Sequence, residues 1–178
     1  LPERTRALRG AARLPVVMLP GNHYPLVRGS VWDRGQLSSI DNVHILGEQT
    51  DIAAFSAFDL EIWGRAHEDY NEINPLEGAP QRSAGRHIVA GHGHFAEERT
   101  PEGQPGPGWL FTPEDIEATD ADYVALGHWN RKVQVGTGNV PAWYSGSPDV
   151  AGTVNAIRLG SSGGVDISHA PVAGPPKT

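Results

Sequence analysis

A mixed α/β layered domain is the fold class the sequence predicts, and three observations carry it. Short apolar runs recur at residues 15–19, 86–90 and 122–126. Each leads into a turn that pairs glycine with a polar side chain: Gly21-Asn22-His23, Gly91-His92-Gly93-His94 and Gly127-His128. Between these runs lie turn-rich segments and at least one helix start, the alternation of a layered α/β chain.

Residues 2–14 have helical composition. Leu8, Ala11 and Ala12 share a face among Arg4, Arg6, Arg9 and Arg13, at spacings typical of a solvated helix. Residues 15–19 (Pro-Val-Val-Met-Leu) predict a buried, parallel strand that ends at the turn Pro20-Gly21. The carboxyl ends of such strands are where open α/β sheets place their ligands. Residues 31–40 predict a short helix, 43–46 a short strand, and 52–55 with 60–63 two paired strands. The polar stretch 67–81, holding Pro75, Gly78 and Pro80, reads as a loop, 86–90 as a strand and 99–108 as an exposed loop. Thr112-Pro113-Glu114-Asp115 has the form of a helix start, with Thr112 as N-cap and Pro113 as first helical residue. That helix is short, because 122–126 resumes strand character. Further strands are predicted at 133–135, 142–144, 154–159 and 165–168, with a Pro/Gly tail over 170–178. No internal repeat is visible, so residues 1–178 are expected to form a single domain, with a core over 1–170 and a flexible tail over 171–178.

Composition narrows the chemistry. Hydrophobic residues at 38% and charged residues at 20% fit a soluble globular domain with a real core. The absence of cysteine excludes a disulfide framework and any Cys-based zinc site, so a metal must be held by His, Asn or carboxylates. A formal charge of −7, with no basic stripe, disfavours non-specific attraction to a polyanion. No apolar run approaches the roughly 20 residues of a membrane helix. Residues 1–14 lack the apolar stretch of a signal peptide, and the chain does not open on Met, so it is expected to belong to a longer polypeptide.

The three turns carry the candidate site. They offer Asn22 and His23, His92, and His128 at the ends of apolar strands, where residues distant in sequence can converge. An Asn oxygen and imidazole nitrogens suit divalent Mn, Fe or Zn. One Gly-His turn is more often an ordinary histidine; three in the same setting point to a shared site.

Longer motifs then become recognisable. Residues 14–24 read Leu-Pro-Val-Val-Met-Leu-Pro-Gly-Asn-His-Tyr, similar to a strand leading into Gly-Asn-His-Asp. Residues 88–93 look like a strand ending in a metal-binding histidine, and 111–128 like a Thr-Pro-Glu-Glu helix followed by Asp-Tyr-Val-Ala-Leu-Gly-His. Tyr144-Ser145-Gly146-Ser147-Pro148 and Ile62-Trp63-Gly64 complete the set. In order and spacing these segments resemble the calcineurin-like metallophosphoesterase superfamily, most closely its bacterial SbcD-type branch of double-strand-break repair exonucleases. The resemblance implies a layered β-sandwich flanked by helices, lacking its first βαβ unit. It also implies a metal-dependent phosphoester hydrolase, of phosphodiesterase or nuclease type, with Mn²⁺ as first expectation and Fe or Zn as alternatives. DNA as substrate, an SbcC-type coiled-coil ATPase as partner and a cytoplasmic location rest on the same resemblance.

Carried over residue by residue, the resemblance makes Asn22, His92 and His128 ligands of the second metal. It sets His23 beside the scissile phosphate, as proton donor or stabiliser of the departing oxygen. His94, separated from His92 by one residue, competes with it as ligand, and the strand register favours His92. His44, His67, His87 and His169 have no motif behind them and read as surface or structural. In such sites two cations about 3.5–4 Å apart clamp the phosphate and lower the pKa of a bound water. Neutral ligands leave the cation a strong Lewis acid, and a nearby imidazolium protonates the leaving oxygen.

The chain departs from the family pattern in four ways. Asp-x-His and Gly-Asp-x-x-Asp, the opening motifs, are absent. The closing Gly-His-x-His reads Gly127-His128-Trp129-Asn130, which makes Asn130 a weak candidate for the first metal site. Tyr24 stands where Asp usually follows the Asn-His pair. These departures keep two alternatives open: a degenerate, non-catalytic scaffold, or a binder of one metal ion that uses His92, His94 and neighbours.

Overall fold

The computed structural model describes residues 14–35, 37–99, 108–160 and 164–172. Apart from Leu14, the helix expected over 2–14 lies outside them. So do most of the loop expected over 99–108 and residues 173–178 of the expected tail.

β-Branched and apolar runs form strands where the sequence predicts them. β1 (Val16–Met18) pairs in parallel with β2 (Val43–Ile45), Val16 facing Val43 and Met18 facing Ile45. Between them the single helix expected over 31–40 is divided into α1 (Val31–Gly35) and a 3-10 turn at Leu37–Ser39. Gly35 ends α1, in keeping with the high backbone entropy glycine loses in a helix. β3 (Ile52–Phe55) and β4 (Leu60–Gly64) are antiparallel, and β5 (Arg86–His92) follows a long loop. β6 (His94–Phe95) and β7 (Leu110–Phe111) make a two-residue parallel pair.

α2 (Pro113–Ala118) opens as predicted, with Thr112 as N-cap in extended conformation. Thr112 donates from its backbone N (2.8 Å) and its Oγ1 (3.0 Å) to Asp115 Oδ2, which fixes the first turn. β8 (Tyr123–Gly127), β9 (Val133–Val135), β10 (Ala142–Tyr144), α3 (Pro148–Ala151), β11 (Thr153–Leu159) and β12 (Val165–Pro171) complete the order.

The central sheet is mixed and six-stranded, in the order β3-β4-β5-β8-β10-β9. Strands β4, β5, β8 and β10 run parallel, and β3 and β9 are antiparallel edges. The fold is therefore α/β with few and short helices. Val89, Phe111, Val124 and Tyr144 are fully buried in its main core beside Ile116 and Leu126. Each such apolar side chain contributes about 1.5–3 kcal/mol. A second cluster, Leu37, Ile40, Val43 and Ile45, packs under β1 and α1.

β11 and β12 form a seven-residue hairpin that continues past the strand end expected at 168, through Pro171 opposite Thr153. Proline is tolerated there because it closes the strand. β6, β7 and α3 are not visible in the sequence, being too short to carry a periodic signal. Among the described residues no helix is long and apolar enough to cross a membrane.

Candidate metal centre

The parallel register of β5 and β8 sets His92 opposite Gly127, so His92 and His128 leave adjacent strands at one level. The turn after β1 arrives at the same place. It closes through Tyr24 N donating to Gly21 O (3.1 Å) and is anchored by His67 N donating to Pro20 O (3.2 Å). The register brings two of the predicted turns together, and contacts of Gly21 and Asn22 with His92 bring in the third.

His92 lies at the centre. A Cβ on Gly21 would stand 2.6 Å from its ring, and one on Gly127 2.8 Å from its Nδ1. Both glycines are therefore required for space, because the imidazole occupies the volume a side chain would need. Asn22 Oδ1 lies 2.9 Å from His92 Nε2. The rings of His92 and His128 are 5.5 Å apart at 74°.

Burial pushes the His92 imidazole down to a pKa of about 4, reinforced by the charges of His67, His128 and His23. His128 is also held below the ordinary histidine value, first by burial and then by His94, His23 and His67. Both rings are thus neutral near pH 7 and keep a lone pair. His23 is exposed beside them.

His128 has φ 105°, a conformation that side chains rarely adopt and that costs about 1–3 kcal/mol. Its neighbour Trp129 is fixed on several sides. The indole stacks on Tyr144 (4.5 Å, 14°), Nε1 donates to His94 Nδ1 (3.2 Å), and the Arg131 guanidinium lies 4.6 Å above the ring. Tyr144 OH donates to Gly93 O (2.6 Å) and accepts from Phe95 N (3.1 Å), so the stack is tied to the His92–His94 segment. Burial raises the Tyr144 pKa and keeps its hydroxyl protonated. Because His94 Nδ1 accepts from Trp129, that nitrogen is already engaged, whereas His92 faces Asn22.

Sequence reasoning missed His67. It is 1% exposed, and its Nε2 lies 2.8 Å from His92 O, the donor of that bond in the neutral ring. The ring stands edge-on to His92 (5.6 Å) and to Trp109 (5.5 Å). Burial lowers its pKa, opposed by the His92 carbonyl and Asp69. Its Nδ1 is buried without a hydrogen-bond partner among the described residues. The signal was present in another form, since His67 follows the strand end at Gly64 by three residues rather than one. Trp109, at φ 56°, walls the other side 6.1 Å from His128.

The remaining histidines stand apart. His87 is fully buried against Glu61, His44 meets the edge of Phe55, and His169 Nδ1 lies 3.0 Å from Asn155 Oδ1. Asn130 is exposed, and its carbonyl accepts Ser147 N at 3.0 Å. Tyr24 is 59% exposed.

Two ligands bound at about 2.1 Å to one ion, at right angles, lie about 3 Å apart. The Asn22–His92 separation fits that requirement, and two neutral imidazoles with an amide oxygen suit a divalent transition ion. Among the described residues no group of three or more His, Cys, Asp or Glu side chains is arranged to hold a metal. The candidate donors Asn22, His92 and His128 carry no formal charge near pH 7.

No protein-family model and no curated protein matches the chain. A solved crystal structure is similar to it, with a TM-score of 0.57 and 17% identity, over 93% of this chain and 70% of that one. At that identity the likeness speaks for the fold alone.

Proposed function

We propose that the chain carries the second-metal half of a metal-dependent phosphoester hydrolase, of phosphodiesterase or nuclease type, on a metallophosphoesterase-type sandwich. The observation that supports this most is the meeting of Asn22, His92 and His128 from three separate strand ends, with Asn22 Oδ1 2.9 Å from His92 Nε2. These three would hold one divalent ion, Mn²⁺ first, with Fe or Zn as alternatives. When bound, such an ion supplies Lewis acidity to a phosphoryl oxygen and acidifies water.

The chain's own groups have definable tasks. His92 is kept neutral by burial and oriented by the Gly21 and Gly127 walls. His67 holds the His92 carbonyl, and Trp129 steadies the turn that presents His128. In this reading His23, exposed and lining the neighbouring hollow, takes the role the resemblance implies, hydrogen-bonding a phosphoryl oxygen and protonating the leaving oxygen. A first metal site, DNA as substrate, an SbcC-type ATPase partner and a cytoplasmic location belong to the proposal through the resemblance alone.

The test is calorimetric titration of Mn²⁺, together with hydrolysis of bis-p-nitrophenyl phosphate and single-stranded DNA. The proposal expects saturable binding that is lost in His92→Ala and in Asn22→Ala, and metal-dependent turnover when the upstream motifs are joined to the chain. No binding, or affinity unchanged by both substitutions, overturns it. A second reading, a scaffold whose site no longer catalyses, is favoured by Asn130, exposed where the family pattern has a ligand. Asn130→His separates the two, since a large gain in turnover supports the enzyme and binding without turnover in either form supports the scaffold.

A further inference from the structure

We propose that the hollow beside His23 is a subsite for a nucleoside phosphate of single-nucleotide size, the departing half of a small diester, which leaves as an alcohol and bears a terminal phosphate of its own besides the scissile one. This deepens the phosphoesterase reading and rests on it. The hollow measures about 260 Å³ and is lined by His23, Tyr24, Arg28, Ser30, Arg34 and Tyr70 among others. That lies just below the span of ligand sites, roughly 300–1,000 Å³, so it suits one ring system and a phosphate rather than a duplex.

Tyr24 and Tyr70 are 59% and 68% exposed, large rings with an unpacked face on one cavity. Stacking of a base on such a ring contributes about 1–3 kcal/mol. Arg28 and Arg34 line the same wall, and neither forms an ion pair among the described residues. The carboxylate nearest them in sequence is committed elsewhere, since Asp33 Oδ2 accepts Gly29 N at 2.7 Å. Asp69, beside Tyr70, accepts Asn71 N at 2.8 Å. In a chain of formal charge −7, two guanidiniums free of carboxylates and facing one hollow form a local anion site.

The walls are built rather than loose. Trp32 Nε1 donates to Tyr24 O (2.7 Å), Ser30 N to Val27 O (3.0 Å) and Leu26 N to His67 O (2.7 Å). His67 thereby joins the loop bearing Tyr24 and Arg28 to the segment that leads to Tyr70, and its ring supports His92. A ligand in the hollow would sit directly against His23, the group assigned to the leaving oxygen.

Titrating adenosine 5′-diphosphate into the whole chain in EDTA, followed by calorimetry and tryptophan fluorescence, tests the subsite without metal. Saturable binding is expected, weakened about tenfold by Arg28→Ala or Arg34→Ala, as for loss of a charge-assisted hydrogen bond. Tyr70→Ala is expected to weaken it similarly and Tyr70→Phe to leave it unchanged, while pyrophosphate alone binds at least tenfold more weakly. These side chains are exposed, so each melting temperature should stay within about 2 °C of the parent. Absence of binding, equal affinity for pyrophosphate, or affinity indifferent to all three alanine substitutions overturns the subsite. Hydrolysis of bis-p-nitrophenyl phosphate without nucleotide binding removes the subsite and spares the phosphoesterase reading. Binding by the chain, with no Mn²⁺-dependent hydrolysis once the upstream motifs are joined to it, supports the subsite and counts against that reading.

Discussion

Strand β5 begins and ends near a histidine, and the two live in opposite surroundings. His87 is fully buried, with its Nδ1 2.8 Å from Glu61 Oε1, and Glu61 in turn accepts hydrogen bonds from the backbone N and Oγ of Ser83. His92 faces an amide oxygen, two imidazoles and two bare glycines, and no carboxylate touches it among the described residues. An odd spacing sends the two side chains to opposite faces of the strand. The comparison teaches what a histidine is for: a carboxylate partner makes it part of the framework, whereas neutral, buried company leaves a lone pair to offer.

The largest expected effect falls on the framework end. Glu61→Ala strands a buried histidine and should cost about 3–5 kcal/mol in chemical denaturation, with Mn²⁺ affinity of the folded protein unchanged. Next comes His92→Ala, for which calorimetry should register at least about 100-fold weaker Mn²⁺ binding and melting should register little. If His92→Ala instead unfolds the chain while Glu61→Ala is harmless, the contrast between the two ends is wrong.

Gly127→Ala sharpens the comparison with a single methyl. It would stand 2.8 Å from His92 Nδ1, so about 1–3 kcal/mol of overpacking and roughly tenfold weaker metal binding should appear together.

Acidity probes Glu61 specifically. Burial raises its pKa, but the Ser83 hydrogen bonds and the His87 charge outweigh burial and hold it below the ordinary 4.5. A lowered folded-state pKa contributes stability above pH 4.5, and that stability is lost as pH falls through the folded value. The melting temperature should therefore drop below that pH, and Glu61→Gln should flatten the drop. The smallest effect is expected from Trp129→Phe, which keeps the stack on Tyr144 and removes the bond to His94, about 1 kcal/mol.

Much of this was legible in the sequence because strand ends announce themselves. The runs over 86–90 and 122–126 stop at glycine and the run over 15–19 at Pro20-Gly21, and parallel pairing of β5 with β8 turns the punctuation of the last two into proximity. Thr112 and Asp115 likewise spell a helix start in four residues. What stayed hidden depends on contacts with no period. His67 sits three residues beyond its strand and enters the site through a backbone carbonyl. The stack of Trp129 on Tyr144 joins segments whose facing cannot be inferred from spacing, and the positive φ of His128 and Trp109 has no sequence mark in non-glycine residues. His87 looked like any unassigned histidine until β4 brought Glu61 beside it.

The imidazole of His92 fills a slot whose two walls are glycines from distant parts of the chain. That arrangement is an interlock with consequences for descent. A methyl gained at either wall crowds the ring, and loss of the ring relaxes the demand for glycine at both walls, so a change at one position is felt at the other two. Gly21, His92 and Gly127 are therefore expected to be inherited as a unit.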